Sequence, residues 1–188
     1  MINTIFKVLI LVTVLIVVSC ETENTMHTDV ENEMTGLDTV RFLEDLERIE
    51  TKTNIDAFTT GKMPENKDLQ LAITLFTDYA IHFPNDIKSA DYLLKASDFS
   101  HHLGQNAKSV VLLDKIITNY SKFSRLDDVM YNRAHYLDFE LRDTVLAKQY
   151  YLEFIQKYPN SEFVLSAQAR LDQNFMTAEE LIELWTKN

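Results

Sequence analysis

One cysteine, five histidines and 29 carboxylate side chains are the groups of this 188-residue chain best suited to carry chemistry. Metal ligation from a helix needs His or carboxylate side chains one turn apart on one face. His27, His82, His101, His102 and His135 contain no i, i+4 pair, and the adjacent His101 and His102 would point about 100° apart on a helix. Asp127-Asp128 directly precede Val129 at an expected helix start, where carboxylates cap the helix dipole rather than gather calcium. There is no Gly-rich phosphate loop and no Gly-x-Ser-x-Gly elbow, and no spacing brings Ser, His and Asp together. The chain therefore reads as non-enzymatic, with no catalytic residue, metal site, cofactor or small-molecule substrate expected. A net charge of −11 repels phosphate backbones, so nucleic acid is not an expected partner. A lone cysteine excludes an intramolecular disulfide framework and a cysteine-based zinc cluster.

The position of that cysteine is informative. Lys7 is followed by a run from Val8 to Val18 that is apolar apart from Thr13, too short to span a bilayer and matched to the core of an export signal. Val17-Val18-Ser19-Cys20 then resembles the bacterial lipobox: an aliphatic residue, a tolerant position, a small residue and cysteine. The resemblance implies lipidation of the Cys20 sulfur and cleavage before it, with the chain held on a membrane by several acyl groups. The competing reading is an uncleaved anchor helix from Ile2 to Val18, which Lys7 would interrupt. Residues 1–19 are thus expected to be a lipoprotein signal peptide. Residues 20–36 are expected to be an acidic flexible tether, carrying Glu21, Glu23, Asp29, Glu31 and Glu33 without Lys or Arg, and reaching about 20–25 Å as a coil. Glu21 is not the Asp that lipoproteins of this type carry for inner-membrane retention, which favours the outer membrane facing the periplasm, with the cell surface as the other location.

Residues 37–188 contain a repeat. Ala72, Phe76, Tyr79 and Pro84 reappear as Ser109, Leu113, Ile116 and Ser121, and again as Ala147, Tyr151, Phe154 and Pro159, a period of 37 to 38 residues. An aromatic residue precedes each last position: Phe83, Tyr120 and Tyr158. Spacings of 4 and 3 place the small and the two large residues on one helical face, and proline just past the end halts the helix. Ala90–Phe99 and Val129–Asp138 lie between these segments, with Ala96 and Ala134 38 apart, so each repeat is a helical hairpin. Helices are expected near 38–60, 68–83, 87–103, 106–120, 125–140, 143–158, 162–173 and 178–187. Thr177-Ala178-Glu179-Glu180 is a capping box that starts the last of them, with Leu181, Leu184 and Trp185 on its apolar face.

The small-large-large-Pro pattern, together with Leu93, Ala96 and the interhelix Gly104, resembles the tetratricopeptide repeat over roughly Leu37 to Gln173. Arg142 and Lys67 stand where the other two repeats would carry that glycine, and Ser121 replaces one proline. On a lipobox-bearing chain the pattern is similar to outer-membrane tetratricopeptide lipoproteins, among them the repeat lipoprotein of the β-barrel assembly machine, the periplasmic repeat protein of the Tol-Pal system and small Bacteroidetes repeat lipoproteins. The resemblance implies an all-α, right-handed α-solenoid of about three to four hairpins plus a C-terminal capping helix. It also implies a concave face lined by the leading helices, onto which Leu94, Asp98, His101, Asn132, Tyr136 and Phe139 map as candidate contacts for a protein or peptide partner. Tyr136 and Phe139 are expected to be exposed there. The expected function is a lipid-anchored envelope scaffold; the alternative is a structural subunit of an envelope complex, such as the β-barrel insertase or a division coordinator, bound edge-on with the groove empty. Only 3 Gly and 3 Pro in 188 residues fit a helical fold better than a sheet fold rich in turns.

Overall fold

A computed structural model describes residues 36–54 and 64–186, the side chains of Leu184 and Trp185 excepted. The signal peptide, Cys20, the tether up to residue 35 and His27 lie outside the described residues. Eight helices and no strands occur among the described residues: α1 (Gly36–Thr53), α2 (Asn66–His82), α3 (Lys88–His102), α4 (Asn106–Asn119), α5 (Leu126–Phe139), α6 (Thr144–Lys157), α7 (Val164–Asp172) and α8 (Ala178–Thr186). Consecutive helices from α2 to α7 pack on one another, giving an all-α stack of hairpins. None of these helices is long and apolar enough to cross a membrane.

The internal repeat is visible in the backbone itself. The helices α2, α4 and α6 end alike at Phe83, Tyr120 and Tyr158, with φ near −125°, −126° and −129° and ψ near 57°, 56° and 61°. Each of these residues donates its N–H to the carbonyl one turn back, at Tyr79, Ile116 and Phe154. Three residues on, Asp86, Phe123 and Ser161 donate to the aromatic's own carbonyl, and Ser89, Leu126 and Val164 repeat the step. The shared exit sets each leading helix against the previous trailing one.

The nine residues of the small-large-large triplets are all buried, and Ala72, Ser109 and Ala147 have no exposed surface. A small side chain there lets two helix axes approach closely. At the α3–α4 crossing the Ser97 and Ser109 hydroxyls lie 2.7 Å apart, and each also reaches the other's backbone carbonyl at 3.1 and 3.0 Å. No hydroxyl is left without a partner in that dry contact.

Two expectations need correction. α1 ends at Thr53, and residues 55–60 of its expected range lie outside the described residues: Thr51, Thr53 and Asn54 are weak helix formers, and the Thr53 hydroxyl turns back onto the Ile49 carbonyl. The residue structurally equivalent to Ala134 is Ser97, not Ala96. Buried Tyr92, Leu93, Ala96, Ser97 and Phe99 repeat 37 residues later as Val129, Met130, Arg133, Ala134 and Tyr136. The extra residue of the 38-residue spacing falls in the α5–α6 turn, which is longer by one than the α3–α4 turn. Arg133 therefore occupies a slot that α3 fills with alanine. It stays there by lying over the Tyr150 ring at 3.7 Å and pairing with Asp114 and Glu153, each at 3.2 Å.

Gly104 closes the α3–α4 turn with φ of 71°, and Arg142 adopts φ of 57° at the same place before α6. The C-terminal end is tied down by Arg170 of α7. It grips the fully buried Asp138 carboxylate with two bonds of 2.5 and 3.0 Å, donates to the Met176 carbonyl at 2.6 Å, and lies between the Phe139 and Phe175 rings. The capping box forms as expected, Glu180 N–H donating to Thr177 Oγ1 at 3.2 Å and Thr177 N–H to Glu180 Oε2 at 2.7 Å.

Candidate functional site

Helix α3 has two working faces. Leu93, Ala96, Ser97 and Ser100 are buried in the hairpin core. Asp91, Leu94, Lys95, Asp98, His101 and His102 recur at the helical period on another face and line a groove of about 930 Å³. Glu50, Thr53 and Asn54 at the end of α1 line it too, as do Gly104 of the α3–α4 turn, Asn106 at the start of α4, and Arg125 and Glu140 at the two ends of α5. Buried Leu94, Phe76 and Phe99 supply its apolar lining.

Near α1 the groove is closed by an ion pair. Lys95 Nζ bonds Glu50, and the Tyr92 hydroxyl donates to the same carboxylate at 2.9 Å. Burial pushes the Glu50 carboxyl up, but the bonds from Lys95 and Tyr92 outweigh it and hold the pKa below its ordinary value. The Lys95 ammonium also sits over the Phe76 and Tyr92 rings at 5.8 and 5.5 Å.

Near α5 the His101 ring stacks on Tyr136 with centroids 4.3 Å apart and planes 6° from parallel. His101 Nε2 lies 3.2 Å from Glu140 Oε1, and Asn106 donates to the other oxygen of Glu140 at 3.3 Å. Arg125 is engaged by Asp128 at 2.8 Å. Asp98 stands between these groups. Its outer edge is open to solvent, yet the groove walls strip enough water to push its carboxyl up to about 6, against the pull of Arg125 and His101 and with the help of Asp128. Among the described residues Asp98 makes no hydrogen bond or ion pair.

Of the six residues mapped from the sequence, Leu94, Asp98 and His101 line this groove. Tyr136 does not offer the exposed ring that was expected. It is 8% exposed and forms the support beneath His101, and burial raises its hydroxyl to about 12. Phe139 is 40% exposed but lies against Arg170 and the His135 ring, and neither it nor half-buried Asn132 is among the lining residues. The one-residue difference in register explains the mismatch. Equivalence by 37 residues matches buried Tyr136 to Phe99, so it could not also repeat an exposed position. Glu50, Lys95, Asn106, Arg125 and Glu140 escaped the sequence reading. They come from four separate segments, and only the α3 period could have flagged Lys95.

Residues 128–161, from the first turn of α5 through the exit of α6, match the family described as tetratricopeptide repeat. No curated protein matches the chain. The family match covers one hairpin, and the shared caps and buried triplets extend the same helical-hairpin construction to its neighbours.

Proposed function

We propose that this chain is a non-enzymatic, lipid-anchored scaffold of the bacterial envelope that holds a segment of a protein partner in the α1–α3–α5 groove. The observation that carries the reading is the groove itself. Its lining sets the charged groups Asp91, Lys95, Asp98 and Arg125 beside Phe76, Leu94 and Phe99, and Asp98 has no hydrogen bond or ion pair among the described residues. Repeat stacks present concave surfaces of this kind to partners. The anchoring half of the reading rests on the Val17–Cys20 motif after the apolar run, with the outer membrane favoured by Glu21.

Site-specific photo-crosslinking in intact cells tests the binding half. A crosslinker at His101 should trap a discrete protein partner, whereas one at exposed Val111 on α4 should not. Adducts at Val111 and none at His101 would favour an edge-on structural subunit. The anchor is tested separately by palmitate labelling: Cys20→Ala should lose the label, and labelling equal to the natural chain would remove the lipoprotein assignment.

A further inference from the structure

We infer that the groove selects a partner segment carrying two basic side chains three residues apart in extended conformation, received by Asp98 and Asp91. The inference rests on the groove being the binding site.

The charged groups of the lining decide it. Lys95 is committed to Glu50, Arg125 to Asp128, and Glu140 to His101 and Asn106. Asp91 and Asp98 remain, neither with a hydrogen bond or ion pair among the described residues. Both belong to the groove-lining face of α3. A ligand docking there covers two carboxylates and must supply cationic donors or leave them unpaired and dehydrated. Lys95, Arg125 and His101 of the lining already have carboxylate partners and His102 is engaged as well, so an acidic segment finds no free cation to meet it. The protein's own residues 20–35 are such an acidic segment, and a second copy of a chain with net charge −11 is repelled as a whole.

The spacing follows from helix geometry. Asp91 and Asp98 are seven residues apart on α3, about 10.5 Å along the axis at about 1.5 Å per residue. A polyproline-type segment rises about 3.1 Å per residue with three residues per turn, so its residues i and i+3 share a side about 9.3 Å apart. Arginine suits both positions, because its fork can bond a carboxylate through two parallel donors, and the flat rings of Phe99 and His101 line the same groove.

A randomised heptapeptide library panned on the full-length protein tests this. Selected peptides should carry Arg or Lys at i and i+3, and one such peptide should bind the Asp98→Asn and Asp91→Asn proteins at least tenfold more weakly than the natural chain. Replacing either of its basic residues with Gln should cause the same loss. Peptides that bind without basic residues, compete with one another for the groove and ignore Asp98→Asn would overturn the inference while leaving the groove as the binding site. A library that yields no binder at all would remove the groove reading and this inference together. Asp98 lies on the exposed side of α3 and makes no hydrogen bond or ion pair among the described residues, so Asp98→Asn breaks no such bond there, and a melting curve confirms that any lost binding is not lost structure.

Discussion

The groove walls disfavour the ionised form of Asp98, although its outer edge is open to solvent. Its carboxyl titrates at about 6 in the folded chain, above the value of about 3.9 for an exposed aspartate. The folded state therefore holds the proton more tightly than the unfolded one. Stability is favoured below about pH 4 and is lost as pH rises through about 6. Asp98→Asn removes this titration, so its melting temperature should exceed that of the natural chain at pH 7.5, and the gain should vanish near pH 4. Thermal melts at the two pH values check it. A gain of equal size at both would mean that loss of charge is not the cause. Under the proposed reading, a cationic ligand in the groove would compensate this carboxylate.

Among the elements, the turns and crossings respond differently to substitution. Arg142 holds a left-handed conformation that costs a residue with a Cβ about 1–2 kcal/mol, and its side chain is exposed. Arg142→Gly should stabilise by about 0.5–1 kcal/mol, the strain relieved less the extra chain entropy of glycine. Chemical denaturation would show it as a raised midpoint with unchanged slope. Ala147 is fully buried at the α5–α6 crossing. Ala147→Leu forces three extra carbons into filled space at about 1–3 kcal/mol. A midpoint identical to the natural chain would contradict the packing described. Tyr136 shows why the same caution applies to the groove, since truncating it would unsupport His101 and open the core at once.

At the level of the whole molecule, the stack needs an end, and the Asp138–Arg170 pair supplies part of it. Removing one partner strands the other charge in the interior, so Arg170→Ala should cost about 3–5 kcal/mol. The double change Asp138→Leu with Arg170→Leu should cost much less, because no buried charge is left behind. A double mutant at least as unstable as the single one would show that the bonds themselves, including that to Met176, dominate. Under the proposed lipid anchoring at Cys20, the Val17–Cys20 motif and the acidic segment after it are separate from the groove in sequence. Loss of the lipid should thus leave the intrinsic affinity for a partner unchanged.

Much of this architecture was legible before any coordinates. The triplets Ala72/Phe76/Tyr79, Ser109/Leu113/Ile116 and Ala147/Tyr151/Phe154 determine helical faces because side-chain direction along a helix depends only on local spacing. The Thr177–Glu180 capping box and the glycine at 104 are local for the same reason. Register between helices is not local: a single added residue in the α5–α6 turn moved the equivalent of Ala134 from Ala96 to Ser97 and carried Tyr136 into the core. The groove was beyond sequence altogether for Glu50, Asn106, Arg125 and Glu140, whose commitments decide which carboxylates stay open. Periodicity determined which residues of α3 share a face. Only packing decided that Lys95 would be spent on Glu50 while Asp98, one turn further along that face, kept its charge unmatched.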